Sequence, residues 1–147
     1  MIKTKKDLRA LAKNHMIKKI HHIAIVVPDL VEAEKQYRST LSLSFEKVLK
    51  MPEYKVEIGF ISVGDVWLEF ISPTEDEPRF TPFLKKNGPG LHHIAYEVKD
   101  IRSTINKVKA SGVEPENDEP LKGADGLICF ISPIKLAGVY TELVQAS

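Results

Sequence analysis

Four residues of this 147-residue chain combine metal-ligating chemistry with regular spacing: His22, Glu69, His93 and Glu142. Glu69 stands in Val66-Trp-Leu-Glu-Phe-Ile71 and Glu142 in Val139-Tyr-Thr-Glu-Leu-Val144. On a strand, alternate side chains share a face, so Glu69 keeps company with Trp67 and Ile71, and Glu142 with Tyr140 and Val144. Such faces belong in the interior, and an ionised carboxylate taken out of water needs an opposite charge, hydrogen bonds or a metal ion. His22 shares its face with Ala24 and Val26, and His93 with Ala95. Two neutral imidazoles and two carboxylates together carry a charge that one divalent cation cancels. This donor set suits Co, Zn, Ni, Mn or Fe. His21 and His92 each precede a candidate ligand by one residue, so alternation sends them to the opposite face and no catalytic role falls to them.

The elements that must bring the four together are visible as a repeat. His22-Ile-Ala-Ile-Val-Val-Pro-Asp29-Leu30 resembles His93-Ile-Ala-Tyr-Glu-Val-Lys-Asp100-Ile101 at a shift of 71 positions. Phe60-Ile-Ser resembles Phe130-Ile-Ser at 70, and Glu69 matches Glu142 at 73. In each copy a β-branched run leads to an Asp able to cap a helix, followed by apolar residues at helical spacing. In the second copy Gly112 is placed to end that helix. Three strands are expected next in the first copy, near 44–50, 55–62 and 66–71, with a hairpin turn at Gly64-Asp65. The second copy suggests strands near 113–116, 127–131 and 138–145, with a turn at Gly123-Ala-Asp125-Gly126. The unit is therefore β-α-β-β-β and the class α+β. Modules of about 19–72 and 91–145 make one domain over 19–147, joined by a Pro- and Glu-rich stretch with a short helix near 80–86. Residues 1–18 are set aside as an N-terminal extension. A pseudo-twofold relation between the copies would bring the equivalent residues together.

Composition narrows the function. With 21 basic and 20 acidic residues, the chain offers no broad field for nucleic acid or an anionic membrane. The one cysteine, Cys129, lies in an apolar run and reads as a small buried hydrophobe rather than a nucleophile. The first sixteen residues lack the apolar segment of a secretion signal, and no stretch approaches transmembrane length. A cytoplasmic protein is expected.

At these residues the chain resembles the vicinal oxygen chelate superfamily, which includes glyoxalase I, extradiol dioxygenases and bleomycin-resistance proteins. The resemblance covers residues 19 to 145. It implies two modules curled into a cupped mixed sheet around one metal ion held by His22, Glu69, His93 and Glu142. Within the superfamily the chain resembles the methylmalonyl-CoA epimerases. The shared features are Pro73, Phe83-Leu84-Lys85, Gly90-Leu-His-His-Ile-Ala95, Asp118-Glu-Pro120, Gly123-Ala-Asp-Gly126 and Gly138-Val-Tyr-Thr-Glu-Leu143. The chain departs from them at Ser132-Pro-Ile-Lys135. The resemblance implies an acyl-CoA substrate whose α-proton is removed to an enolate. It makes Glu142 one acid/base group and Glu57, the nearest match in the third strand, the other. A homodimer is expected from an exposed sheet edge. The alternatives are a lactoylglutathione lyase of the glyoxalase I kind and a drug- or metabolite-binding protein without turnover.

Overall fold

The computed structural model describes residues 4–7 and 16–147. Most of the N-terminal extension lies outside the described residues, and its last two, Ile17 and Lys18, already belong to the first strand. The elements run β1 (Ile17–Val26), α1 (Leu30–Leu41), β2 (Lys47–Met51), β3 (Val56–Val63), β4 (Val66–Pro73), α2 (Phe80–Asn87), β5 (Gly90–Val98), α3 (Ile101–Ala110), β6 (Leu121–Lys122), β7 (Gly126–Ile131) and β8 (Tyr140–Ala146). This is an α+β chain in which β1 to β4 and β5 to β8 repeat the β-α-β-β-β order. Among the described residues, no helix is long and apolar enough to cross a membrane.

Both helices after the first strands start where the Asp residues dictate. Asp29 accepts from the Val31 amide at 2.9 Å and Asp100 from the Ser103 amide at 3.1 Å, each satisfying a donor that the first turn leaves open. Gly112, with φ of 91°, turns the chain just past α3. The strand expected at 113–116 does not form, because Pro115 has no N–H to offer a ladder. Only the Glu116 amide reaches β7, donating to the Phe130 carbonyl at 2.9 Å. The short β6 takes the outer place instead, pairing Leu121 with Ile128 and Lys122 with Leu127.

The described residues divide into two compact units, one spanning His21–Ile94 and the other containing Ala95–Ser147. In the first, β2, β3 and β4 pair antiparallel in sequence order, and β1 lies parallel to β4, giving a mixed sheet. Val27, Leu30, Ala33, Ile61 and Phe70 form its core between α1 and one sheet face, with Leu68 and Phe45 packed against them. The β3–β4 turn is the two-residue one expected at Gly64-Asp65, with Gly64 at φ of 59°. In the other unit, β7 pairs antiparallel with β8, and Val98, Ile101, Ile105, Cys129, Ile131 and Leu143 form the core beneath α3. Cys129 is fully buried there, and burial pushes its thiol pKa up, as suits a packing residue rather than a nucleophile.

Candidate metal centre

The register of the first unit decides which side chains share the face turned away from α1. Phe60 lies opposite Glu69, Ile58 opposite Ile71 and Ser62 opposite Trp67, while on β1 His22 lies beside Trp67 and Ala24 beside Glu69. Side chains level across a ladder point the same way, so His22, Phe60, Trp67 and Glu69 occupy one face, opposite Ile61, Leu68 and Phe70. Glu69 is 3% exposed and His22 2%. The Phe60 and Trp67 rings meet edge to face at 6.0 Å, and the Lys47 ammonium sits 4.4 Å over Phe60, covering this apolar wall with a cation.

Within this unit His22 lies between two other expected residues, His93 on its Nε2 side and Glu69 on its Nδ1 side. The Nε2 atoms of His22 and His93 stand 3.3 Å apart, and Oε2 of Glu69 lies 3.0 Å from Nδ1 of His22. Nε2 of His22 thus faces a second imidazole nitrogen. Two nitrogens, each about 2.0–2.1 Å from a common ion, stand roughly 3.3 Å apart at near-tetrahedral angles, so the histidine pair fits a transition-metal ion. The buried negative charge beside it fits as well, since a cation offsets the desolvation of Glu69. Glu69 lies on the Nδ1 side of His22, the side that does not face His93.

Glu142 has the matching environment in the other unit. It lies opposite Phe130 in the β7–β8 ladder, as Glu69 lies opposite Phe60, and is 5% exposed. Its neighbours Thr141 and Leu143 point the other way, Leu143 into the core under α3. Tyr140, on Glu142's face, meets the Phe130 ring at 6.3 Å and donates its hydroxyl to Glu116 at 2.9 Å.

Glu57 does not join this face. It follows Val56 on β3 and lies opposite Lys50 and Ser72, so it shares the α1 side with Gly59 and Ile61. Its side chain is 49% exposed and faces the Lys50 ammonium at 3.8 Å. The adjacent Ile58 is the buried residue on Glu69's side. Strand alternation thus turns Glu57 away from the face that carries Glu69.

Three features escape the sequence reading. His21 and His92 are not turned away from the site: each is buried, and each places its Nδ1 2.8 Å from Nδ1 of the following histidine. Alternation describes Cβ directions, whereas Nδ1 sits close to the backbone and can meet its neighbour beside the strand. The repeated His-His doublet was the available signal. The third is Glu77, buried in the join between the copies, whose carboxylate accepts from the Phe80 amide at 2.7 Å and from the Arg79 amide. It thereby holds the start of α2, whose Phe80 and Phe83 rings contact His92 at 4.9 and 5.0 Å.

Comparison with known proteins agrees with this architecture. The family model of the glyoxalase/bleomycin resistance protein/dioxygenase superfamily matches residues 21–130. The ethylmalonyl-CoA/methylmalonyl-CoA epimerase of Cereibacter sphaeroides is 35% identical over 133 residues, covering 88% of this chain and 99% of that protein. The mitochondrial methylmalonyl-CoA epimerase of Mus musculus is 33% identical over 130 residues, covering 87% and 73% respectively. A solved methylmalonyl-CoA epimerase in complex with methylmalonyl-CoA and ammonium is 30% identical and superposes with a TM-score of 0.81, over 89% of this chain and 96% of that one. The fold is thus the glyoxalase-like α+β fold, and with a family model spanning most of its length and relatives at this identity, the chain belongs to the glyoxalase/bleomycin resistance protein/dioxygenase superfamily.

Proposed function

We propose that this protein is a metal-dependent isomerase that interconverts (2R)- and (2S)-methylmalonyl-CoA by removing and returning the α-proton. The observation that carries the reading is the buried pair of imidazole nitrogens 3.3 Å apart with the Glu69 carboxylate beside one of them. It is joined to the 30–35% identity with epimerases of this substrate. His22, His93, Glu69 and Glu142 are the residues that would hold the ion; the repeat that equates Glu69 with Glu142 supports the inclusion of the last. When bound, a divalent ion supplies Lewis-acid stabilisation for the negative charge that develops on a thioester oxygen.

The rest of the chemistry belongs to the chain. Glu142 acts as an acid/base group on one face of the α-carbon, taking the proton as carboxylate in one direction and delivering it as carboxylic acid in the reverse, while inversion draws its other proton from a second donor on the opposite face. Its buried setting beside Phe130 and Tyr140 limits the access of water, which otherwise competes for the proton. Glu57, turned to the α1 side and ion-paired with Lys50, does not serve the opposite face of the carbon in this arrangement. The wall of Phe60 and Trp67 gives the acyl portion an apolar surface, and Lys47 above it offers a charge to the substrate carboxylate.

Incubating methylmalonyl-CoA with the metal-loaded protein in deuterated water tests this directly. Rapid incorporation of one deuterium at the α-carbon is expected, together with near-stoichiometric metal that His93→Ala largely loses. A metal-loaded protein that leaves the α-hydrogen in place would sink the reading.

A further inference from the structure

We infer that His21 and His92 are positioning residues that hold the rings of His22 and His93 with Nδ1 protonated and Nε2 presented to the ion. The inference rests on the metal reading proposed above. It follows from a geometry that occurs twice. In β1 the Nδ1 atoms of His21 and His22 are 2.8 Å apart, and in β5 the Nδ1 atoms of His92 and His93 are 2.8 Å apart.

One proton must lie between the two nitrogens of each pair, so one ring donates and the other accepts. At His22 the direction follows from the ion: with Nε2 given to a cation the neutral ring carries its proton on Nδ1, so the Nδ1 of His21 is the acceptor. His21 is then the Nε2–H tautomer. If Glu69 turns toward the ion, Nδ1 of His21 still accepts and the orientation of His22 is retained. At His93 the same direction follows from the second copy of the geometry, because Nε2 of His93 faces Nε2 of His22 and both must be bare to share a cation. Histidines that bind metals ordinarily depend on an acceptor behind the other ring nitrogen, and here a neighbouring histidine fills that place.

One of the two orienting rings is itself held by an aromatic wedge. His92 is 8% exposed and wedged edge-on against Phe80 and Phe83 of α2, while Phe80 also stacks on His93 at 6.3 Å with an interplanar angle of 27°. The helix in the join between the copies, started by the buried Glu77, thus packs against the ligand pair through aromatic contacts. An apolar replacement of His92 would preserve that packing and remove only the acceptor.

Only five histidines are present, so the ring nitrogens can be assigned one by one in long-range proton–nitrogen spectra of the zinc-loaded protein. The expected pattern is Nδ1–H for His22 and His93 and Nε2–H for His21 and His92. In competition with a chromophoric chelator for zinc, His21→Leu and His92→Leu should each weaken affinity about ten- to a hundredfold. His21→Asn and His92→Asn, whose amide oxygen stands near the lost Nδ1, should recover to within about threefold of the unmodified protein. Reversed tautomers, or leucine variants that bind zinc as the unmodified protein does, would overturn the inference. If the unmodified protein takes no zinc, the metal reading fails and this inference falls with it, whereas zinc bound equally by the unmodified protein and the leucine variants overturns this inference alone.

Discussion

The β3–β4 hairpin and the β7–β8 pair perform the same task with different connections. In the first, two residues at Gly64-Asp65 join the strands, and Phe60 falls opposite Glu69. In the second, residues 132–139, including a 3-10 turn at Pro133–Lys135, join the strands, and Phe130 still falls opposite Glu142. The repeat shift of 70 at the phenylalanines becomes 73 at the glutamates because the longer connection absorbs the difference. Ladder register, not loop length, is therefore what keeps a carboxylate level with a phenylalanine on the face away from the helix. Loops in such a repeat are free to vary while the strand positions are not.

The largest expected difference between the two halves is catalytic. Glu142→Gln removes the proposed acid/base group, and the α-proton exchange rate should fall about 10²- to 10⁴-fold. Glu69→Gln keeps an oxygen donor of the same size and should cost about tenfold in zinc affinity, with little loss of exchange rate once the site is saturated. Equal losses of saturated exchange rate in the two variants would erase the proposed division of labour.

The glycines at the turns come next. At Gly126, with φ of 140°, an added Cβ would meet the Gln145 carbonyl oxygen at 2.2 Å. Backbone cannot yield as a flexible side chain can, so Gly126→Ala should destabilise by about 3 kcal/mol in urea unfolding. At Gly64, with φ of 59°, nothing lies within 4 Å of the added atom, and Gly64→Ala should cost only about 1 kcal/mol for the left-handed conformation. A larger loss at Gly64 than at Gly126 would mean that the tight turn, not the close approach of β7 to β8, limits these pairings.

The smallest effect is expected at Glu57. Its exposed pair with Lys50 is worth little, so Glu57→Gln should change stability by less than about 0.5 kcal/mol. Exchange should stay within about twofold of the unmodified protein. A loss as large as that of Glu142→Gln would restore Glu57 to the reaction.

Much of the fold was legible because the repeat could be checked against itself. Asp29 and Asp100 announced two helices by capping chemistry, and β-branched runs announced the strands before them. The faint strand at 113–116 failed because one apolar residue, Val113, at the start of a short window says little, while Pro115 within it forbids the ladder. The site was legible where polar residues interrupt apolar runs: Glu69 and Glu142 declared themselves by their company. Glu57 could not be judged that way, since a one-position uncertainty in a strand is invisible to composition yet reverses the side chain's direction. The buried Glu77 looked like one more acidic residue in a polar join, and only its bonds to the Arg79 and Phe80 amides distinguish it.

From its residues alone, this chain determines two β-α-β-β-β copies and an alternation that gives His22 and Glu69 each an apolar strand face, on which burial of the carboxylate's charge is costly. Those are consequences of local geometry, repeated every two residues along a strand. Tertiary structure decided what depends on distance and rotation: that Nε2 of His22 meets Nε2 of His93, that Glu57 is turned away, and that His21 and His92 touch the rings beside them. Ring orientation is set by packing from residues far along the chain, such as Phe80 and Phe83, and no pattern of neighbours in sequence encodes it.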